Sequence, residues 1–307
     1  MPESLPSGVL VTIPDGVPYA IPPGSHRVLF STASATWSLT EGGVYAALTT
    51  PNVEPGVLLN NGFVKNAAGG PRLVVSKRVN RLQTYAAEVS RSNPLAFWRL
   101  DESSGATAFD SLGHSPYNLT YGAGVTLGQA SPTGDGSTSA LFDGSANGDA
   151  TSGAVNPWAN GTSLSFEALV FNPAWDASHE LIINLGNVGM YMSVLNGQPF
   201  MSVMLGGVQF TNQITNITLP TSEWIHLAST WTSGEQQRIY VNGREGLTYA
   251  NAVTPTGNLN VASTIYVGNL GGSILPWSGR LANVALYLRK LTAAEIWSHA
   301  AARGNRG

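Results

Sequence analysis

The sequence predicts an all-β protein with two domains, a small first module and a larger β-sandwich. The 307 residues include 35 glycines and 18 prolines, and only 11% are charged, a composition that favours strands and turns over helices. Short runs of alternating apolar and polar residues recur between turn-forming residues. The length also exceeds the roughly 250 residues at which one hydrophobic core usually stops growing. Two unequal domains follow from these observations.

Residues 1–80 are predicted to form a small β-sandwich or barrel module. Six apolar runs lie in this segment: GVLVTI, HRVLFST, ATWSLT, VYAALTT, GVLLNNGFVK and RLVVSKR. They are separated by Pro-Asp-Gly, Pro-Pro-Gly, Glu-Gly-Gly and Gly-Gly-Pro. Short strands punctuated in this way are typical of compact all-β folds.

Residues 81–93 are predicted to form a helical linker. The segment lacks glycine and proline and places apolar residues at helical spacing from Leu82 to Val89. Pro94 should end the helix, because the residue before a proline is disfavoured in the helical region.

The remainder, 94–307, is predicted to be a β-sandwich. The segment SLSFEALVF, residues 163–171, directs its apolar residues to one face, while Ser165 and Glu167 point away, as in a half-buried strand. Asn242-Gly243 separates two strand-like runs and suits a type I′ turn, because both central residues of that turn need a positive φ.

A short helix is predicted to close the second domain. It should run from Leu291 to Ala302, with Thr292 as N-cap and Glu295 three residues later, which together make a capping box.

The order of several segments in the second domain resembles a known family. These segments are NPLAFWRLDESSGATAFDS, Phe142-Asp143-Gly144, SLSFEALVF, EWIHLASTW, RIYVNGREG and GRLANVALYLRKLTAAEIWSHA. Over residues 85–303 they resemble the laminin G-like, concanavalin A-like jelly rolls of secreted bacterial proteins and of bacteriophage capsid-surface and tail proteins. The resemblance implies a jelly-roll sandwich that binds or coats something.

The same resemblance implies one Ca²⁺ at the rim of the sandwich. Asp143 matches the Phe-Asp-Gly segment, and Asp149 or Asn147 would assist it. The alternative is that Asp143 only stabilises a tight turn through the backbone. The chain departs from the pattern at Ala282-Asn283, where the family often carries an acidic pair. No cofactor besides Ca²⁺ is expected.

Six of the eight tryptophans divide into two groups. Trp98, Trp224 and Trp231 lie inside predicted strands, so core packing explains them. Trp158, Trp175 and Trp277 lie in loops rich in proline and glycine and are the predicted ligand-binding residues, because exposed indoles stack on sugars. Alternatively, these loop tryptophans close over the end of the core.

The sequence does not predict an enzyme. Retaining glycoside hydrolysis needs two carboxyl groups ~5–5.5 Å apart, but Glu167 is isolated, and Asp101-Glu102 would face opposite sides of a strand. His226 is expected to be structural, and His299 to cap a carbonyl or face solvent. A glycoside hydrolase with carboxylates from separate strands remains the alternative.

Composition excludes several classes of partner. A net charge of −3 with 15 scattered Lys and Arg argues against nucleic-acid binding, and the sequence contains no apolar segment of membrane-spanning length. The absence of cysteine excludes disulfides and Cys-ligated zinc. No basic segment followed by an apolar one is visible near the start, so we expect no secretory signal.

Together with these exclusions, the resemblance implies a non-enzymatic bacteriophage structural protein, made in the host cytoplasm and located on the virion surface. The first module would bind the major capsid protein or tail proteins, and the jelly roll would bind host-surface glycans or stabilise the particle. Capsid decoration is favoured over a minor tail or receptor-binding role, because the chain lacks long fibrous segments. A homotrimer is expected. A bacterial surface adhesin is the other alternative.

Overall fold

The computed structural model describes six strands within the first 83 residues and most of residues 84–303. The gaps in the second range are 134, 176–177, 187–188, 247, 252, 260–263 and 271–273. The chain divides into two compact modules, Met1–Arg81 and Leu82–Gly307. Strands make up most of the secondary structure that is described in each module, so the predicted all-β class is confirmed.

The described strands of the first module form one antiparallel sheet in the order β1-β6-β2-β5-β3-β4. The strands are β1 (Leu10–Ile13), β2 (Pro18–Phe30), β3 (Ala35–Ser38), β4 (Ala46–Leu48), β5 (Leu58–Asn66) and β6 (Leu73–Lys77). Each overlaps one predicted run. Pro-Pro-Gly does not separate two strands as expected, since it lies inside β2, where the register against β5 shifts between Ile21 and Ser25. A bulge tolerates proline because it needs no ladder N–H group.

The second module contains two eight-stranded antiparallel sheets. The strand order of the first sheet is β10-β11-β22-β13-β18-β19-β20, and β7 also pairs with β22. Its strands are β7 (Ala96–Trp98), β10 (Val125–Ala130), β11 (Thr138–Asp143), β13 (Ser163–Phe171), β18 (Trp224–Thr232), β19 (Arg238–Val241), β20 (Arg244–Glu245) and β22 (Ser278–Tyr287).

The second sheet has the order β17-β16-β15-β14-β21-β12-β9-β8. Its strands are β8 (Thr107–Ala108), β9 (Leu119–Tyr121), β12 (Ala150–Ser152), β14 (His179–Leu185), β15 (Met190–Leu195), β16 (Gln198–Leu205), β17 (Val208–Gln213) and β21 (Ile265–Val267). A 3₁₀ helix occupies Ser115–Tyr117.

The main hydrophobic core lies between these two sheets. Strand β13 has the predicted bounds, and its apolar face is fully buried there: Leu164, Phe166, Ala168 and Val170. Trp98 and Trp231 are fully buried in the same core, as predicted. Trp224 instead lies on the outer face of the first sheet, where it is only partly buried.

Two helices cover that outer face, α1 (Tyr85–Arg91) and α2 (Ala293–Ala302). Glu167 and Ser165 of β13 were expected to face solvent, but both are fully buried. That prediction is wrong because the alternation along one strand cannot show what packs on its second face. The strand is buried on both sides.

Helix α1 lies within the predicted linker, 81–93, and is part of the compact second module, which begins at Leu82. Thr84 caps the helix by accepting a hydrogen bond from the Ala87 N–H, and Tyr85 and Val89 are fully buried against the first sheet. Burial of these two side chains fixes the helix in place.

Two local predictions for the C-terminal region are confirmed. Thr292 and Glu295 form both hydrogen bonds of a capping box at the start of α2. Asn242 and Gly243 have φ angles of 49° and 81°, as a type I′ turn requires. A Cβ atom on Gly243 would lie 3.0 Å from Ala300 Cβ, so glycine lets α2 approach this turn closely.

Candidate functional site

One tryptophan at the end of the sandwich is both rigid and partly open to solvent. Trp175 follows β13 and packs edge-on against Trp277, with ring centroids 5.8 Å apart. Its Nε1–H donates to the Pro220 carbonyl at 3.2 Å. The ring also lies against Gly197, where an added Cβ would meet Trp175 Cγ and Thr218 Cγ2, each at 3.2 Å. The indole is therefore held on three sides.

The other two candidate tryptophans are buried. Trp158 and Trp277 are both fully buried and form part of the core between the sheets. Neither presents a ring face to a ligand in this structure. The alternative considered from the sequence, closure of the core end by a loop tryptophan, describes both residues. Trp175 thus remains the candidate platform among the three.

An aromatic cluster lies close to Trp175 in sequence, on the outer face of the second sheet. His179, the first residue of β14, packs against Phe200 with centroids 4.7 Å apart, and Phe200 stacks on Tyr191 at 5.9 Å. Gln209 Nε2 donates to the Tyr191 hydroxyl at 3.0 Å. Burial lowers the pKa of His179, so the imidazole is neutral near pH 7. Nothing in the sequence indicated this aromatic cluster, because His179, Tyr191 and Phe200 are 9 to 21 residues apart.

The candidate metal ligand Asp143 lies at the end of β11 and stabilises the following turn. Its Oδ1 accepts from the Ser145 N–H at 2.9 Å. Hydrogen bonds from the side chain and backbone of Ser145 lower the pKa of Asp143. The Asn269 amide donates to the Ser145 and Ala146 carbonyls, each at 3.2 Å, and ties the turn to the body of the sandwich.

Both candidate carboxylates approach the same glycine-containing segment. A Cβ on Gly122 would clash with the Asn147 carbonyl oxygen and Asp149 Oδ1, and a Cβ on Gly124 would lie 2.5 Å from Asp143 Oδ1. Carboxylate and carbonyl oxygens are the ligands that Ca²⁺ prefers, so the donor set fits this cation. Burial raises the pKa of Asp149. Within the described residues, no group of three or more His, Cys, Asp or Glu is arranged to hold a metal.

A buried polar cluster joins the two helices to the first sheet. Glu167 Oε2 accepts from His226 Nε2 at 3.0 Å and from His299 Nδ1 at 2.9 Å, and Oε1 accepts from the Tyr287 hydroxyl. The other ring nitrogen of His299 lies 2.9 Å from Ser92 Oγ. The expectation that His299 caps a carbonyl or faces solvent is wrong, because it is buried against this carboxylate.

The pKa shifts in this cluster indicate one charged pair, Glu167 with His299, and one neutral histidine, His226. Burial would raise the pKa of Glu167, but the charge of His299 and hydrogen bonds from both histidines outweigh it and lower the pKa to about 2. Burial opposes protonation of His299, and the charge of Glu167 overcomes it, so the pKa of His299 is raised. Burial lowers the pKa of His226, which donates through Nε2 as a neutral ring. Its role is structural, as expected.

The family assignment rests on a match that covers half of the chain. Residues 143–297 match the family model Laminin_G_3, described as the concanavalin A-like lectin/glucanases superfamily. The chain belongs to this superfamily. A comparison with curated proteins finds no match.

Two solved structures of other proteins have a fold similar to that of this chain. The binding domain of paraclostridial mosquitocidal protein 1 matches with a TM-score of 0.54 and 15% identity, over 68% of this chain and 52% of that one. The botulinum neurotoxin serotype D ligand binding domain, solved with N-acetylneuraminic acid, matches with a TM-score of 0.53 and 14% identity, over 71% and 52%. The chain therefore spans about half the length of these structures.

The superfamily description covers both lectins and glucanases, so the carboxylates matter. Asp101 and Glu102 lie after β7, outside the strands, and not on opposite sides of one as expected. Asp101 pairs with Arg99 at 3.0 Å, and Glu102 accepts from the Tyr121 hydroxyl at 2.7 Å. Each is engaged by a different partner, and Glu167 is buried.

Neither described helix is long and apolar enough to cross a bilayer.

Proposed function

We propose that the jelly roll binds a glycan on a host surface through Trp175 and does not cleave it. The observation that carries this proposal is the partly exposed indole of Trp175, held by Trp277, Pro220 and Gly197. An aromatic ring fixed before binding loses little conformational entropy when a sugar stacks on it. The solved complex of a similarly folded domain with N-acetylneuraminic acid supports a glycan as the ligand class.

A glycan array with three proteins tests this function. The wild type should bind a subset of glycans, and Trp175→Ala should bind the same subset at least tenfold more weakly. The matched control is Trp297→Ala, because Trp297 is 57% exposed on α2, against the turn at Gly243. Unchanged binding by Trp175→Ala, or equal losses in both variants, would contradict the assignment.

The absence of hydrolysis is part of the same proposal. It is supported by the separate partners of Asp101 and Glu102 and by the burial of Glu167. Incubation with the bound glycans should release no reducing sugar. Turnover that a single Asp or Glu substitution abolishes would show an enzyme.

The virion location is a further proposal. In it, the first module attaches a homotrimer to the major capsid or tail proteins, and the sandwich displays the glycan site. The division into Met1–Arg81 and Leu82–Gly307 supports separate attachment and display. The full chain should bind phage particles that lack it, with its first module against the particle in electron micrographs. Docking through the jelly roll would contradict this arrangement.

Calcium binding by Asp143 and Asp149 is proposed for the rim. The approach of both carboxylates to Gly122 and Gly124 supports it. Bound Ca²⁺ would fix the turn beside Asn269 by drawing the two carboxylates together.

A further inference from the structure

Both helices of the second module are joined to the first sheet through one buried carboxylate. Glu167 lies on β13, and the groups that contact it come from β18, β22 and α2. His299 of α2 then contacts Ser92, the C-cap residue of α1. Breaking the contact between Glu167 and His299 therefore affects both helices at once.

The charges around this cluster leave His299 as the counter-ion of Glu167. On α1, Glu88 pairs with Arg91 at 3.2 Å. On α2, Glu295 pairs with Arg289 at 2.7 Å. Arg303, at the C-cap of α2, donates to the Trp224 carbonyl and to Asn242 Oδ1. The Tyr85 hydroxyl of α1 is buried near the cluster, and the Tyr85 ring packs edge-on against His226 at 5.8 Å.

We propose that protonated His299 and Glu167 form a pH-dependent latch that holds α1 and α2 on the first sheet, and that deprotonation of His299 releases both helices. Loss of the proton leaves the Glu167 carboxylate buried without a counter-ion, which is strongly unfavourable. Solvation of that carboxylate requires the helices to move away from the sheet.

The direction of the pH dependence follows from His299. The pKa of His299 is raised above the ordinary value of 6.5. The latch therefore contributes its full stabilisation below pH 6.5, and this stabilisation is lost as the pH rises through the folded-state pKa. Burial and the charge of Glu167 raise the pKa of Tyr287 and of Tyr85 well above 10, so neither tyrosine titrates in this window. On the acid side, the latch is lost as Glu167 takes up a proton, between pH 4.5 and about 2.

Hydrogen exchange of the full chain tests the latch. Exchange of the α1 and α2 amides is measured from pH 6 to pH 9 and corrected for the intrinsic rates. In the wild type, opening of both helices should increase by up to about tenfold per pH unit above pH 6.5, until His299 is deprotonated. The amides of β13 and β15 should stay protected.

Two variants identify the titrating group. His299→Gln should show open helices at every pH, without the pH dependence. His114→Gln is the control, because the His114 side chain is 53% exposed and pairs with Asp110, and it should behave as the wild type. The latch is refuted if wild-type helix protection is equal at pH 6 and 9, if the strands open together with the helices, or if His114→Gln removes the effect. The wild-type profile and this control decide the question even if His299→Gln does not fold.

Discussion

Replacing Glu167 with glutamine should destabilise the second module strongly. The carboxylate accepts from His226, His299 and Tyr287, and glutamine offers one acceptor oxygen and a donor NH₂ group in its place. Without the charge of Glu167, burial would lower the pKa of His299, so the imidazole would be neutral and the ion pair lost. Breaking a buried ion pair by removing one partner costs about 3–5 kcal/mol, so we expect a loss of this size in the free energy of unfolding.

The pKa shift of Glu167 gives a second value for how much the buried carboxylate stabilises the fold. The pKa of Glu167 is lowered from 4.5 to about 2 by folding, which corresponds to about 3 kcal/mol of stabilisation. Because the folded-state pKa is depressed, this stabilisation is present above pH 4.5 and is lost as the pH falls towards 2. Glu167→Gln lacks this contribution, so the difference between wild type and variant should shrink by about 3 kcal/mol over that range.

Urea unfolding followed by tryptophan fluorescence measures both effects. Of the eight tryptophans, only Trp37 precedes residue 82, so the signal reports on the second module. The control is Glu235→Gln, since Glu235 forms a solvent-exposed pair with Lys290 and such pairs contribute about 1 kcal/mol or less. A loss below about 1 kcal/mol in Glu167→Gln, or a difference from wild type that does not change with pH, would refute the reasoning.

Three further predictions concern other residues. Trp277→Ala should lower the unfolding free energy by about 3–5 kcal/mol in the same assay, because Trp277 is fully buried, and Trp297→Ala should change it by less than about 0.5 kcal/mol. Thr292→Ala should cost about 1 kcal/mol through loss of the capping box. Saturating Ca²⁺ should raise the melting temperature relative to chelator, by the equivalent of ~2.7 kcal/mol at one hundred times Kd, and Asp143→Ala should lose this difference. Equal melting of wild type in both conditions would remove the calcium proposal.

Local patterns predicted much of the second module. The alternation in SLSFEALVF predicted β13 with its bounds, and Thr292 with Glu295 predicted the start of α2. Asn242-Gly243 predicted the turn between β19 and β20. These features depend on neighbours a few residues apart, so the sequence pattern contains the information that determines them.

The predictions that were wrong concern residues whose contacts lie far away along the chain. Glu167 is buried because His299, which lies 132 residues away, packs over it. Periodicity within β13 shows which side chains share a face, but not whether a helix covers that face. The two buried histidines were visible in the sequence, yet nothing there paired them with this carboxylate.

The candidate site shows the same limit. Trp158, Trp175 and Trp277 occur in similar loops, and the sequence alone gave no reason to separate them. Trp175 is held partly open by Gly197 and by the Pro220 carbonyl, which lie 22 and 45 residues further along the chain. Exposure of an indole depends on such distant supports, so it appears only in the folded chain.

The most direct test of glycan binding follows the indole N–H resonances of the full chain, labelled with ¹⁵N at tryptophan. The glycan bound most tightly in the array is added stepwise. We predict that the resonance of Trp175, whose Nε1–H bonds Pro220, shifts as the site fills, while those of buried Trp158 and exposed Trp297 stay in place. Saturable binding that leaves Trp175 unshifted would contradict the proposed site.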